Sequence, residues 1–131
     1  MEERRYTLSK SERLSSKTMV ERLFAGGSKS FPAYPLRVVY MWIESTEGEA
    51  DASILISVPK KRFKRAVKRN LVKRQVREAY RKNKYLLLDA LAAKNKRLVI
   101  AFIWLDNSIH PSAEVEEKVK RLLLHITEKM E

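Results

Sequence analysis

The sequence predicts an α+β fold, an α/β sandwich of helices packed on a small mixed sheet of three to four strands. Three observations carry that expectation. The chain has 131 residues, of which 44% are hydrophobic, enough for one core and too few for two independent ones. Its apolar pattern alternates between strand and helix spacing, and reads α-β-β-α-α-β-α from one end to the other. One run, Arg97-Leu98-Val99-Ile100-Ala101-Phe102-Ile103-Trp104, is almost wholly apolar, as a strand buried on both faces must be. Residues 1–12 are polar and without periodicity and are expected as a flexible tail, leaving a single domain over 13–131.

Each element has a local cause. Ser15-Ser16 can cap a short helix through Lys17 to Phe24, which Gly26-Gly27 would end. Phe31-Pro32-Ala33-Tyr34-Pro35 forbids a helix and leads into Leu36 to Ile43, a β-rich run. A polar loop over Glu44 to Asp51 separates it from Ala52 to Val58, stopped by Pro59, and the pair suggests an antiparallel hairpin. Phe63 to Lys82 is helical in character with no Gly or Pro inside, and a shorter Leu/Ala-rich helix follows over Tyr85 to Ala93. After the apolar strand, Pro111-Ser112 opens a last helix. There Val115, Val119, Leu122, Leu123 and Ile126 recur at spacings of three and four on one side.

Charge narrows the function. There are 28 Lys and Arg against 16 Asp and Glu, a formal net charge of +12. Residues 60–82 hold 12 of those bases and one acid, Glu78, so this single segment carries +11 and the rest of the chain is nearly balanced. With no cysteine, a disulfide scaffold, a thiolate zinc site and a cysteine nucleophile are all excluded. No apolar run reaches the roughly 18 residues of a membrane span, and none follows the first residues as a signal peptide would. The expected setting is cytoplasmic, with no membrane partner. Nucleic acid is the leading partner.

At about 100° per residue, Arg69, Lys73, Arg77 and Arg81 form an i, i+4 ladder with Asn70 and Arg74 beside it, while Val72, Val76 and Ala79 lie on a neighbouring arc that can face the sheet. Like charges at that spacing repel by a few tenths of a kcal/mol per pair. An ordinary solvated face interleaves Glu with Lys, but here only Glu78 does so. Phosphates supply the missing negative charge. Arginine suits them through its planar fork, and each neutralised phosphate releases counterions. With no evident helix-turn-helix or zipper, double-helical DNA readout is less attractive than RNA.

The stretch Lys60 to Tyr80 closely resembles the signature of the bacterial ribonuclease P protein subunit. The shared residues are Lys61 or Arg62, Ala66-Val67, Arg69-Asn70, Lys73-Arg74 and Arg77-Glu78. Arg13-Leu14, Leu23-Phe24 with Gly27, and Ser57-x-Pro59-Lys60 extend the resemblance over about residues 13–127. It departs where the family's Gly-Asn before Ala-Val is Lys64-Arg65, where the third residue of its Arg-Asn-Arg triplet is Leu71, and where a first-helix aromatic is Val20.

The resemblance implies a protein cofactor of an RNA-catalysed endonuclease that removes the 5′ leader of precursor tRNA. It also implies an α-β sandwich with a left-handed βαβ crossover. Ribonuclease P catalytic RNA and precursor tRNA would be the partners, with Mg2+ required by the holoenzyme and held mainly by RNA. The contacts to the catalytic RNA fall on Lys60, Lys61, Lys64, Arg65, Lys68, Arg69, Asn70, Lys73, Arg74 and Arg77, where Asn70 can also tie the helix to an adjacent loop. A ribosomal or ribosome-assembly RNA binder is the alternative.

Single-stranded RNA is gripped by aromatic faces next to cations. Phe24, Tyr34, Tyr40 and Trp42 are the candidates for a leader-binding cleft, with Tyr40 and Trp42 on one face of their strand, opposite Val39, Met41 and Ile43. No catalytic group is expected in the chain. His110 reads as a loop residue and His125 as partly packed, Glu116-Glu117 sits in the first turns of the last helix, and Asp89 and Asp106 have no evident partner.

Overall fold

The apolar run at 97–104 takes the place its composition demands, in the interior of the sheet. The computed structural model describes residues 6–26, 28–44, 50–92, 94 and 96–129. After a 3-10 turn at Lys10–Glu12 come α1 (Lys17–Phe24), β1 (Lys29–Ala33), β2 (Leu36–Glu44), β3 (Ala52–Ser57), α2 (Ala66–Asn83), α3 (Tyr85–Ala92), β4 (Lys96–Trp104) and α4 (Ser112–Glu128). No helix among the described residues is long and apolar enough to cross a membrane.

The sheet runs β1-β2-β4-β3. β4 pairs antiparallel with β2, from Leu36 opposite Trp104 to Glu44 opposite Lys96. On its other side it pairs parallel with β3, from Ala52 beside Leu98 to Ser57 beside Ile103. The hairpin expected of β2 and β3 is therefore not formed, because β4 lies between them. The reason is burial. β4 is the strand most uniformly apolar on both faces, so it gains most from a central position. β2 finds its hairpin partner on the other side in β1, whose Pro32 is tolerated at a sheet edge.

Alternation along β2 and β4 sorts the core in two. Leu36, Val38, Tyr40, Leu98, Ile100, Phe102 and Trp104 point into the larger core, against Val72, Val76, Ala79 and Tyr80 of α2, Leu87 and Leu91 of α3, and the predicted stripe of α4. All five stripe residues of α4 are fully buried, each worth about 1.5 to 3 kcal/mol of transfer free energy. Among the described residues, the apolar side chains buried on the opposite face are Val99, Ala101, Leu14 and Leu23, with Met19, Val20, Val39, Met41, Ile43 and Leu55 partly covered. α1 and the segment before it that carries Leu14 pack there. Ser16 caps it by accepting a hydrogen bond from the Met19 N–H at 3.3 Å, and Gly26 leaves it at a φ of 111°, where a side chain would be strained. Gly27 and Ala93 lie outside the described residues, as does most of the polar loop after β2.

The expected tail needs correction over 6–12. The Glu12 carboxylate accepts from the Lys84 ammonium at 2.9 Å, with Lys84 only 3% exposed, and Lys84 also donates to the Thr7 carbonyl. Arg81 donates to the Tyr6 carbonyl, and the Tyr6 ring stands edge-on to Tyr85. Further along, the Leu14 N–H donates to the Ile54 carbonyl at the β3 edge. A buried ammonium requires such partners, and the first turn of the chain supplies them. Residues 1–5 lie outside the described part.

Candidate nucleic-acid interface

α2 begins three residues later than its helical pattern suggested, because Pro59 to Arg62 closes a turn through an Arg62 N–H to Pro59 carbonyl bond. Lys60 and Lys61 stand exposed on that turn, and Lys64 and Arg65 stand exposed where α2 starts. Arg65 takes an ordinary extended conformation (φ −85°, ψ 131°), so Arg replaces the family's Asn there without backbone strain. No side chain caps this end and the first turn holds no acid. Cations crowded around a helix N-terminus oppose its dipole, which an anion landing there would reverse.

The arginine ladder does not act as one unit. Arg69 folds back and donates to the carbonyls of Phe63 and Lys64, both at 2.8 Å, with Phe63 buried as the anchor. The tie to the preceding loop expected of Asn70 is thus made by Arg69, and Asn70 is exposed. At the far end Arg81 pairs with Glu78 at 2.6 Å. That hydrogen bond, helped by the charges of Lys82 and Arg74, holds the Glu78 carboxyl below its usual range. Between these fixed ends Lys68, Arg74 and Arg77 are exposed and Lys73 is half-buried. Among the described residues Glu78 is the sole acid on this helix. Leu71, where the family pattern has a cation, is 43% exposed beside an exposed Val67. From the other side Gln75 donates to the His110 carbonyl and the Ser112 hydroxyl, locking α2 against the start of α4.

The four aromatic candidates do not form one cleft. Tyr40 is 1% exposed inside the larger core, where burial raises its phenol pKa. Trp42 packs half-buried against that same core. Tyr34 lies in the turn between β1 and β2, close to His110. Phe24, 49% exposed, ends α1, the helix that packs against the open face. The floor of that face is Val39, Met41 and Ile43, the residues opposite Tyr40 and Trp42. At its upper end Lys10, Ser11, Arg13, Ser15, Ser16 and Arg97 surround a pocket that Leu14 and Met19 complete, placing cations and hydroxyls next to the apolar floor. The identity of the open face was within reach of the sequence: one eight-residue helix cannot cover strands that three other helices cover from behind.

Neither histidine faces a reaction centre. The His110 ring is held between Asp106, 2.6 Å from Nε2, and Glu114, 3.2 Å from Nδ1. Both ring nitrogens can donate at once only in the imidazolium, so chiefly the Asp106 hydrogen bond raises its pKa while His110 in turn lowers that of Asp106. Asp106 therefore has the partner that its sequence context did not reveal. His125 stacks flat on Phe31 at 3.6 Å.

The model of the Ribonuclease P family matches residues 8–127. A ribonuclease P protein component of Porphyromonas gingivalis is 46% identical over 121 residues, which span 92% of this chain and 87% of that protein. The component of Chlorobaculum tepidum is 33% identical across 79% of this chain and 70% of its own length. Among solved structures, the RNase P protein from Thermotoga maritima superposes with a TM-score of 0.67 at 25% identity, covering 87% of this chain and 96% of that one. A Staphylococcus aureus RNase P protein shares the fold at 20% identity and a TM-score of 0.65, over 88% of this chain and 94% of that one.

Proposed function

The chain belongs to the ribonuclease P protein family and is a protein subunit of that enzyme, and from that premise we propose that it binds the catalytic RNA through α2 and the turn before it, and promotes removal of the 5′ leader from precursor tRNA in the cytoplasm. The observation that carries this reading is the cationic row of exposed Lys68, Arg74 and Arg77 and half-buried Lys73, with Lys60, Lys61, Lys64 and Arg65 exposed at its head. Such a face is self-repelling until phosphates meet it. The RNA performs the hydrolysis in this proposal, and Mg2+ is held there. Among the described residues no group of three or more Asp, Glu or His side chains is arranged to hold a metal ion. Neutralising phosphates through α2 lowers the magnesium needed to fold the RNA.

The leader is proposed to lie on the open sheet face, over Val39, Met41 and Ile43, with Phe24 and Val20 of α1 along one side. Tyr40 and Trp42 have no part in it. The ribosomal alternative rests on basic charge alone and has no observation of its own.

Reconstitution with the cognate ribonuclease P RNA at low magnesium tests the proposal. Added protein should restore cleavage of a leader-bearing precursor, and failure to do so overturns the reading. In the same assay Lys73→Ala with Arg77→Ala should weaken RNA binding and reduce the slope of log K against log salt by about two. An unchanged slope would remove α2 as the main contact.

A further inference from the structure

Tyr34 is 58% exposed, and its ring lies beside a network of fixed side chains. The Asp106 carboxylate near its hydroxyl raises the phenol pKa. Its ring meets His110 edge-on, 6.5 Å between centroids at 77°. Asp106 is itself fixed by His110 and by the Asn107 N–H at 2.7 Å. His110 is fixed by Glu114, by an edge-on contact with buried Trp104 at 5.4 Å, and by Gln75 at its carbonyl. The Tyr34 ring thus stands against a His110 that α2, β4, α4 and Asp106 together hold in place. Pinning a side chain costs rotamer entropy, and an exposed ring recovers little of it by burial.

We propose that Tyr34, Arg62 and Asn107 form a docking platform for a single unpaired RNA nucleotide, separate from the open face beneath α1. The base stacks on Tyr34, as bases do on aromatic rings in single-strand binding. Asn107, next in sequence to Asp106, is exposed, with an amide that can both donate to and accept from a base edge. Its oxygen lies 3.5 Å from the Arg62 guanidinium, a long contact that a better acceptor can replace. The Nε of Arg62 is buried with no partner among the described residues. A phosphate flanking the stacked base meets Arg62 with Lys60 and Lys61 on the same turn. The Asp106 and Glu114 carboxylates would repel an anion, which Arg62 offsets, as does the His110 ring between them when it is protonated. The Tyr34 ring itself suits a base better than a phosphate.

The inference rests on the RNA-binding reading above, and the test separates the two. Full-length protein carrying Tyr34→Ala, Tyr34→Trp or no change is titrated with ribonuclease P RNA alone, and the assembled complexes are titrated with precursor and mature tRNA. Tyr34→Ala should weaken one of these steps about tenfold, with Tyr34→Trp restoring most of the loss. The step affected tells whether the nucleotide belongs to the catalytic RNA or to the tRNA. Equal affinity of Tyr34→Ala and unchanged protein in every step overturns the platform while leaving the RNA-binding reading intact. No binding of ribonuclease P RNA by unchanged protein would sink both. Ultraviolet crosslinking of the unchanged complex gives a readout independent of any variant's folding. A nucleotide adduct on the peptide containing Tyr34 supports the platform, and adducts confined to other peptides reject it.

Discussion

The two faces of the sheet are built from the same strands and have opposite fates. Behind it, α2, α3 and α4 seal Leu36, Val38, Tyr40, Leu98, Ile100, Phe102 and Trp104 into a dry core. In front, the eight residues of α1 leave Val39, Met41, Ile43 and Leu55 only partly covered. The front face thus gives up hydrophobic stabilisation that a longer helix would have supplied. The difference teaches that the back stabilises the domain and the front is available to bind, although both are apolar.

The largest expected effect tests the back. Leu122→Ala removes a fully buried side chain of α4 and should lower unfolding free energy by about 3 to 4 kcal/mol, measured by urea denaturation. A cost below about 1 kcal/mol would mean that the core is not the sealed unit described. On the front, Met41→Ala should cost only about 1 kcal/mol, since its side chain is already half in water. Combined with Phe24→Ala it should weaken holoenzyme binding of leader-bearing precursor several-fold more than that of mature tRNA. Equal losses on the two RNAs would erase the functional side of the contrast. The smallest effect is at the margin of the sheet, where His110 joins β4 to α4. Its pKa is raised in the folded chain, so its stabilisation is complete below its unfolded value of about 6.5 and is lost as pH rises through the higher folded value. Melting temperature should therefore decline as pH rises above about 6.5 more in unchanged protein than in His110→Gln. Parallel curves would show that the clamp adds nothing.

What could be read before the fold was known follows from what periodicity reports. Spacing of three and four named every buried residue of α4, and the uninterrupted run at 97–104 identified an interior strand. Periodicity says that a strand has two faces but not which helix lies on each. Tyr40 and Trp42 therefore share a face, as alternation requires, and it is the face that α2, α3 and α4 cover. Strand order is a long-range property as well. Nothing between residues 44 and 51 announces that a strand fifty residues later separates β2 from β3. Charge density marked α2, but not that Arg69 and Arg81 spend their guanidiniums on the chain itself. Polar composition at 6–12 concealed an ordered segment because its partner, Lys84, is an ion buried more than seventy residues away.

The central placement of β4 also has a consequence in time. Both β2 and β3 need it as a neighbour, so the sheet cannot be completed until residue 104 has left the ribosome. By then α2 and its cations have already emerged without the core that will hold their apolar side. Such non-local pairing slows folding, because the intervening chain must first be closed into a loop. Assembly of this domain is therefore a late event in its own synthesis, gated by one strand.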